Sequence, residues 1–279
     1  MVGRSAFDWA GRVRELRAAT WAKPPDTPVL LAELQRSSAG SSPILFAADD
    51  GEKYWVKLPD NPQGTQTIVA ETIVAEIAPL LHAPVREARR VLVPSSFRGT
   101  PYGPDALYRI KEGLAHGSLL VEHATEREGE LSHAKRDDNA RRIPRLIVFW
   151  DWALGQDEQW LYDDDESSTI WSFDHGLWLD AAEAPWTLQG LLAVADIPGG
   201  TPEVIPHGLD SAAFFETADA LERITEEQLA LALSRVPPTW EADDGLLGAL
   251  GEMLFKRRPG AADRARALGS RTSKGGQRP

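Results

Sequence analysis

Two stretches of the chain carry residues whose types and spacing suit the handling of a phosphorylated ligand. In KYWVKL (53–58) a lysine stands on an alternating, largely apolar run. An ammonium there must snorkel to water or meet an anion, because an unpaired buried charge is expensive. Upstream lies SSAGSS (37–42), a small flexible loop whose Gly40, Ser41 and Ser42 can turn backbone N–H groups toward phosphates. Downstream, an aliphatic helix offers Glu71 and Glu76 as partners for Lys57. These two acids lie five residues apart, so they point in different directions and spacing leaves the choice open.

The second stretch is FWDWALGQDEQWLYDDDESSTIWSFDHG (149–176). It places Asp157 just after an apolar run, Gln159 at the start of one strand and Asp174 at the end of the next. Two acids at the lips of a hairpin serve phosphoryl transfer if one accepts the proton of the acceptor hydroxyl and the other holds magnesium. An amide oxygen such as that of Gln159 can complete the shell of that cation. Asp before Gly at a strand end also occurs for backbone reasons alone, so SFDHG by itself decides nothing. Asp163, Asp164 and Asp165 read as a solvated turn, and His175 as a residue that orients its loop by hydrogen bonding. The six histidines form no HExxH pattern. No GxxxxGK[ST] phosphate loop and no GxSxG serine elbow is present.

These residues need elements to hold them. VLLAELQ (29–35), PILFAA (43–48) and KYWVKL alternate as three strands, with Tyr54 and Val56 on one face and Trp55 and Lys57 on the other. TIVAETIVAEIAPLL (67–81) follows as a helix. VLVPSS and ALYRIKE read as strands, and EGLAHGSLL as a connector broken by Gly113 and Gly117. A helix from about residue 137 carries Pro144 near its start, and QWLY and TIWSF are two short strands. Residues 185–256 read mainly as helices, one opened by the capping box TEEQ from Thr225 to Gln228. The expectation is an α+β, two-lobed fold with a small β-rich N-lobe and a larger, mainly helical C-lobe, the layout of a two-lobed nucleotide-binding enzyme. Its divisions are a helical extension (1–28), the N-lobe (29–112), the C-lobe (113–256) and a basic, disordered tail (257–279).

Composition narrows the classes. At 279 residues, 42% hydrophobic and 26% charged, the chain can bury a large core. It has no cysteine, which removes disulfides and thiolate chemistry, and its ten tryptophans read as packing. A net charge of −12 argues against general nucleic-acid binding. The charged N-terminal stretch and the lack of a long apolar run argue against a leader or a membrane span, and so for a cytoplasmic location.

Taken in order, Lys57 on its strand, NPQG, AETIVAEIA, GLAHGS, FWDWALGQD, FDHG and VPPTW resemble the HipA-like kinases, in particular the compact actinobacterial type. The resemblance spans about residues 29–256. It implies a protein-kinase-like or phosphatidylinositol-kinase-like fold that binds ATP and magnesium. The γ-phosphate would pass to a hydroxyl, usually on a protein, and a regulatory protein partner stays open. Lys57 would contact ATP with Glu71 as its helix partner, Asp157 would be the catalytic aspartate, and Asp174 would hold the metal. One departure stands out. The family writes Asp-Arg and then an Asn a few residues later, whereas this chain has Asp157-Glu158-Gln159, with Gln159 in place of the Asn and an anion in place of a cation. That leaves two alternatives: a pseudokinase acting as a nucleotide-binding or regulatory module, and a lipid or small-molecule kinase on the same fold.

Overall fold

The computed structural model describes residues 7–23, 26–181, 185–240 and 242–275. Helix α1 (Trp9–Ala22) opens at Asp8, whose carboxylate accepts the Gly11 N–H at 3.0 Å. The period-two pattern that follows builds β1 (Leu30–Arg36), β2 (Ile44–Ala48) and β3 (Lys53–Lys57), then α2 (Thr65–Ile77). After α2 come β4 (Ala88–Val93), the two-residue strands β5 (Pro101–Tyr102) and β6 (Tyr108–Arg109), and β7 (Gly113–Leu119). The main sheet runs in the order β1-β2-β3-β7-β4. Its outer face packs Phe46, Tyr54, Val56, Val91 and Tyr102 into a core of their own. The opposite face carries Lys57 beside His116 and is covered by α2.

Helix α2 carries aliphatic residues round its circumference, with Glu71 and Thr72 buried among them. Such a helix must be buried all round, and Ile68, Val69, Ile73, Val74 and Ile77 accordingly sit in the larger core of the C-terminal lobe. That lobe contains β8 (Ala124–Glu128), α3 (Asn139–Trp152), the hairpin of β9 (Gln159–Asp163) and β10 (Thr169–Ser172), and then α4 (Leu188–Ala193), α5 (Ser211–Arg223), α6 (Glu226–Leu233) and α7 (Asp244–Gly275). Strands β10, β9 and β8 form a second, three-stranded sheet. The hairpin turns because the Asp163 carboxylate accepts the N–H groups of Asp165 and Glu166, at 3.1 and 3.3 Å. Asp163 is therefore buried, while Asp164 and Asp165 are exposed. The TEEQ capping box forms at the head of α6.

Three expectations change. GLAHGSL is no connector: β7 lies between β3 and β4 in the N-terminal sheet. Gly117 is there for close packing, since a Cβ would stand 2.8 Å from Val91 Cγ1. ALYRIKE contributes only the two residues of β6. The basic tail is the largest change, because α7 runs through residues 257–275 and buries Arg257, Ala261, Ala262 and Ala265. Its prolines and arginines read as disorder because composition does not show which partners wait in the fold. Pro259 cannot donate to Phe255 O, and the Arg258 Nε–H takes that place at 2.9 Å. In the same way Pro144 leaves Ala140 O to the Asp210 N–H, at 2.8 Å. Residues 1–6 of the extension and 276–279 of the tail lie outside the described residues. Among the described residues no helix is long and apolar enough to cross a membrane.

Candidate active site

Strand β3 delivers Lys57 to the α2 face of the sheet, where its ammonium donates to Glu71 Oε1 and, at 2.5 Å, to Asp174 Oδ1, 117 residues further along the chain. The lysine and glutamate side chains are 8% and 3% exposed, against 30% for Asp174, so the cluster opens to solvent on the Asp174 side. Glu76 is not the lysine partner; it pairs with Arg90 at 2.5 Å. Burial alone would lower the pKa of Lys57, but Glu71 and Asp174 outweigh it and hold the ammonium above its ordinary range. Burial would likewise raise Glu71, but Lys57, together with His175 and His116, keeps its carboxyl well below the usual carboxylate range. The pair is therefore ionised.

The other oxygen of Glu71 faces two imidazoles, His175 Nδ1 at 3.5 Å and His116 Nε2 at 4.0 Å. His116 is fixed by Thr72 Oγ1 at 2.9 Å and Ser118 Oγ at 3.2 Å. Burial pushes it down to about 4, so it is neutral at ordinary pH. Gly176 lets the loop after Asp174 pass against α2, since a Cβ there would stand 3.1 Å from Thr67 Cβ. The NPQG loop that leads into α2 is braced by Asn61, whose amide donates to Leu58 O at 2.9 Å and Gly64 O at 3.1 Å.

Gly40, Ser41 and Ser42 stand beside this brace. A Cβ on Gly40 would meet Gln63 Nε2 at 2.5 Å, and both serines are buried. Ser42 adopts φ +50° and donates its N–H to Ala39 O at 2.7 Å, which makes the loop a tight turn over the β3–α2 connection. Its contact in this structure is with the NPQG segment rather than with Lys57.

The β9–β10 ladder ends at the pair Ser172 and Trp160. Residues 157–159 and 173–174 therefore leave the hairpin at the same end, which brings Asp157 and Gln159 to the side of Asp174. Asp157 is exposed, and both aspartates adopt left-handed backbone, φ +56° and +57°. Asp tolerates that region better than most residues, and such conformations gather at functional loops. Gln159 and Phe173 line a cavity of about 380 Å³ with Glu126, Arg127 and Glu128 of β8. Glu158 turns aside, its Oε1 accepting the Glu203 N–H at 2.8 Å. Among the described residues no three acidic or imidazole groups converge as a ready-made metal cage.

Three further residues fasten the end of α3 to the segment at 194–199 and were not singled out from the sequence. Asp151, buried in α3, accepts from Arg264 at 2.7 and 3.0 Å and from the Gly199 N–H at 2.8 Å. Arg257 donates to the carbonyls of Trp152, Val194, Ile197 and Asp151 at 2.5–2.8 Å. The signal was an acid inside the apolar run FWDW, which needs a buried partner. A separate cavity of about 380 Å³ opens between the sheet and Trp240, lined by Asp60, Thr65, Tyr102 and Lys111 among others, and includes none of Lys57, Glu71, Asp157, Gln159 and Asp174.

A β-rich N-terminal lobe, a helical C-terminal lobe and a strand lysine bonded to a helix glutamate across from a hairpin aspartate define a kinase-like fold. Among solved structures the chain is similar to the crystal structure of a Helicobacter pylori proinflammatory kinase, CtkA. The TM-score is 0.52 at 14% identity, over 89% of this chain and 99% of that one. No family model matches the chain, and no curated protein does.

Proposed function

We propose that the protein is an ATP-dependent phosphotransferase of the HipA-like type, moving the γ-phosphate of ATP to a hydroxyl on a protein acceptor. The observation that carries this reading is the convergence of Lys57, Glu71 and Asp174 on one half-open cluster. An ammonium has three N–H donors. Glu71 and Asp174 use two, leaving the third for a phosphate oxygen, while Glu71 keeps the charge fixed and aimed. Asp174 and Gln159 would hold magnesium, which would supply charge shielding for the phosphates. Asp157, exposed at the same hairpin mouth, would accept the acceptor's proton, and the Gly40–Ser42 turn would close over the nucleotide. The side chain of Glu158 is taken up by the Glu203 N–H, which lessens the repulsion expected from an anion in this loop.

The short Asp157-Glu158-Gln159 segment favours a second reading, a nucleotide-binding regulatory module without turnover. Calorimetric titration with ATP, with and without magnesium, followed by transfer from labelled ATP to the protein itself and to protein acceptors, separates the two. The kinase reading expects magnesium-dependent binding and a transfer signal that falls by about 10²–10⁴-fold in Asp157→Ala. It also expects the signal to vanish in Asp174→Ala. Binding without transfer supports the module, and no binding at all removes both.

A further inference from the structure

Asp174 and His175 are neighbours in the chain, and between them they face both members of the buried ion pair. Asp174 Oδ1 takes the Lys57 ammonium at 2.5 Å. His175 Nδ1 stands 3.5 Å from Glu71 Oε2, the oxygen that Lys57 does not use. A buried carboxylate oxygen without a donor is costly. His116 does not supply one, since its ring nitrogens are engaged by Thr72 and Ser118 and lie no nearer than 4.0 Å. On its far side the His175 ring meets Ser172 Oγ through Nε2 at 2.9 Å, and Ser172 is wholly buried at the end of β10. Trp178 packs edge-on at 4.7 Å, so the ring plane is fixed as well.

Resting on the kinase reading above, we infer that His175 is a positioning residue: its imidazole links Ser172 to Glu71, so that the Asp174 loop and the Lys57–Glu71 pair move as one unit. The bonding requires a proton on Nδ1. Nδ1–H then donates to Glu71 Oε2, and the Ser172 hydroxyl donates to Nε2. With both Glu71 oxygens engaged, the carboxylate cannot rotate away from the lysine. The position of Asp174 then sets the position of the ammonium that a phosphate would meet. A phenylalanine at 175 would keep the contact with Trp178 and lose both polar links. An asparagine would keep an N–H close to the place of Nδ1.

The test uses the full chain and Mg–ATP. His175→Phe is expected to weaken Mg–ATP binding by about tenfold, the scale of one hydrogen bond to a charged group, and to raise KM by more than it lowers kcat. His175→Asn is expected to restore most of the affinity, and Ser172→Ala to have a smaller effect that disappears in the His175→Phe background. In the unmodified protein, ¹⁵N NMR of the ring is expected to show Nδ1 protonated, a result that does not depend on whether any variant folds. A ring protonated on Nε2 alone overturns the inference. So does a folded His175→Phe with unchanged Mg–ATP affinity, or an asparagine variant no better than the phenylalanine one. Lys57→Met keeps the two claims apart: if it leaves Mg–ATP binding intact the kinase reading fails, and if it abolishes binding while His175→Phe does not, only the role of His175 fails.

Discussion

Lys57 lies between two carboxylates, and its burial commits Glu71 to staying ionised. Removing one partner of a buried pair strands the other, at about 3–5 kcal/mol. Lys57→Met is therefore expected to lower the urea midpoint sharply, and Lys57→Met with Glu71→Leu to recover part of the loss. The folded pKa of Glu71 lies below its unfolded value, so its contribution is present above about pH 4.3 and is lost as pH falls through the folded value. For Lys57 the sign reverses: the contribution is complete below about pH 10.4 and is lost as pH rises through the folded value. His116 acts in the acid range. Burial lowers it from 6.5 to about 4, opposed by Glu71 and aided by Lys57, Arg90 and His175, so the unfolded chain takes up a proton that the folded one refuses. Stability should fall by about 2 kcal/mol between about pH 7 and about pH 5, and urea titrations of His116→Gln should show that slope flattened. Glu71 and Glu76 were equivalent as letters; Arg90 opposite Glu76 separates them, and Arg90 reaches it from another strand.

At the scale of elements, local rules were legible and packing rules were not. The alternation of KYWVK and the TEEQ box appear where the pattern places them, because neighbours along the chain decide both. Thr225→Ala, which removes the acceptor for the Gln228 N–H, should cost about 1 kcal/mol in thermal unfolding. The glycines of GLAHGSL misled because Gly has two uses, breaking an element and admitting a close neighbour. Gly117→Ala distinguishes them: a connector glycine would tolerate the methyl, whereas in β7 it must push against Val91 and Tyr54, at about 1–3 kcal/mol.

Across the whole molecule, both ends of the chain serve the C-terminal lobe. Helix α1 packs on α6 and α7, with Arg17 donating to Val236 O and Pro237 O at 2.8 and 2.6 Å. Helix α7 supplies Arg257 and Arg264, which fasten the end of α3 to the segment at 194–199. A disordered tail could be deleted without effect. Here, removing residues 257–279 should abolish cooperative unfolding by calorimetry. Arg257→Lys, which cannot span four carbonyls with one ammonium, should be less stable than the unmodified chain.

What the sequence determined by itself was the set of elements and the chemistry-bearing residues on them: a strand lysine, a small-residue turn, an apolar helix with two acids, and a hairpin with aspartates at its mouth. Those are properties of short spans, fixed by side-chain alternation, caps and turn residues. Spacing left open which acid meets Lys57, and tertiary structure decided it, as it decided that His175 faces the other oxygen of that acid and that a proline- and arginine-containing stretch is a helix with one face buried. Each of these depends on a partner far along the chain, and opposite charges or vacant carbonyls find one another only once the cores have brought them together.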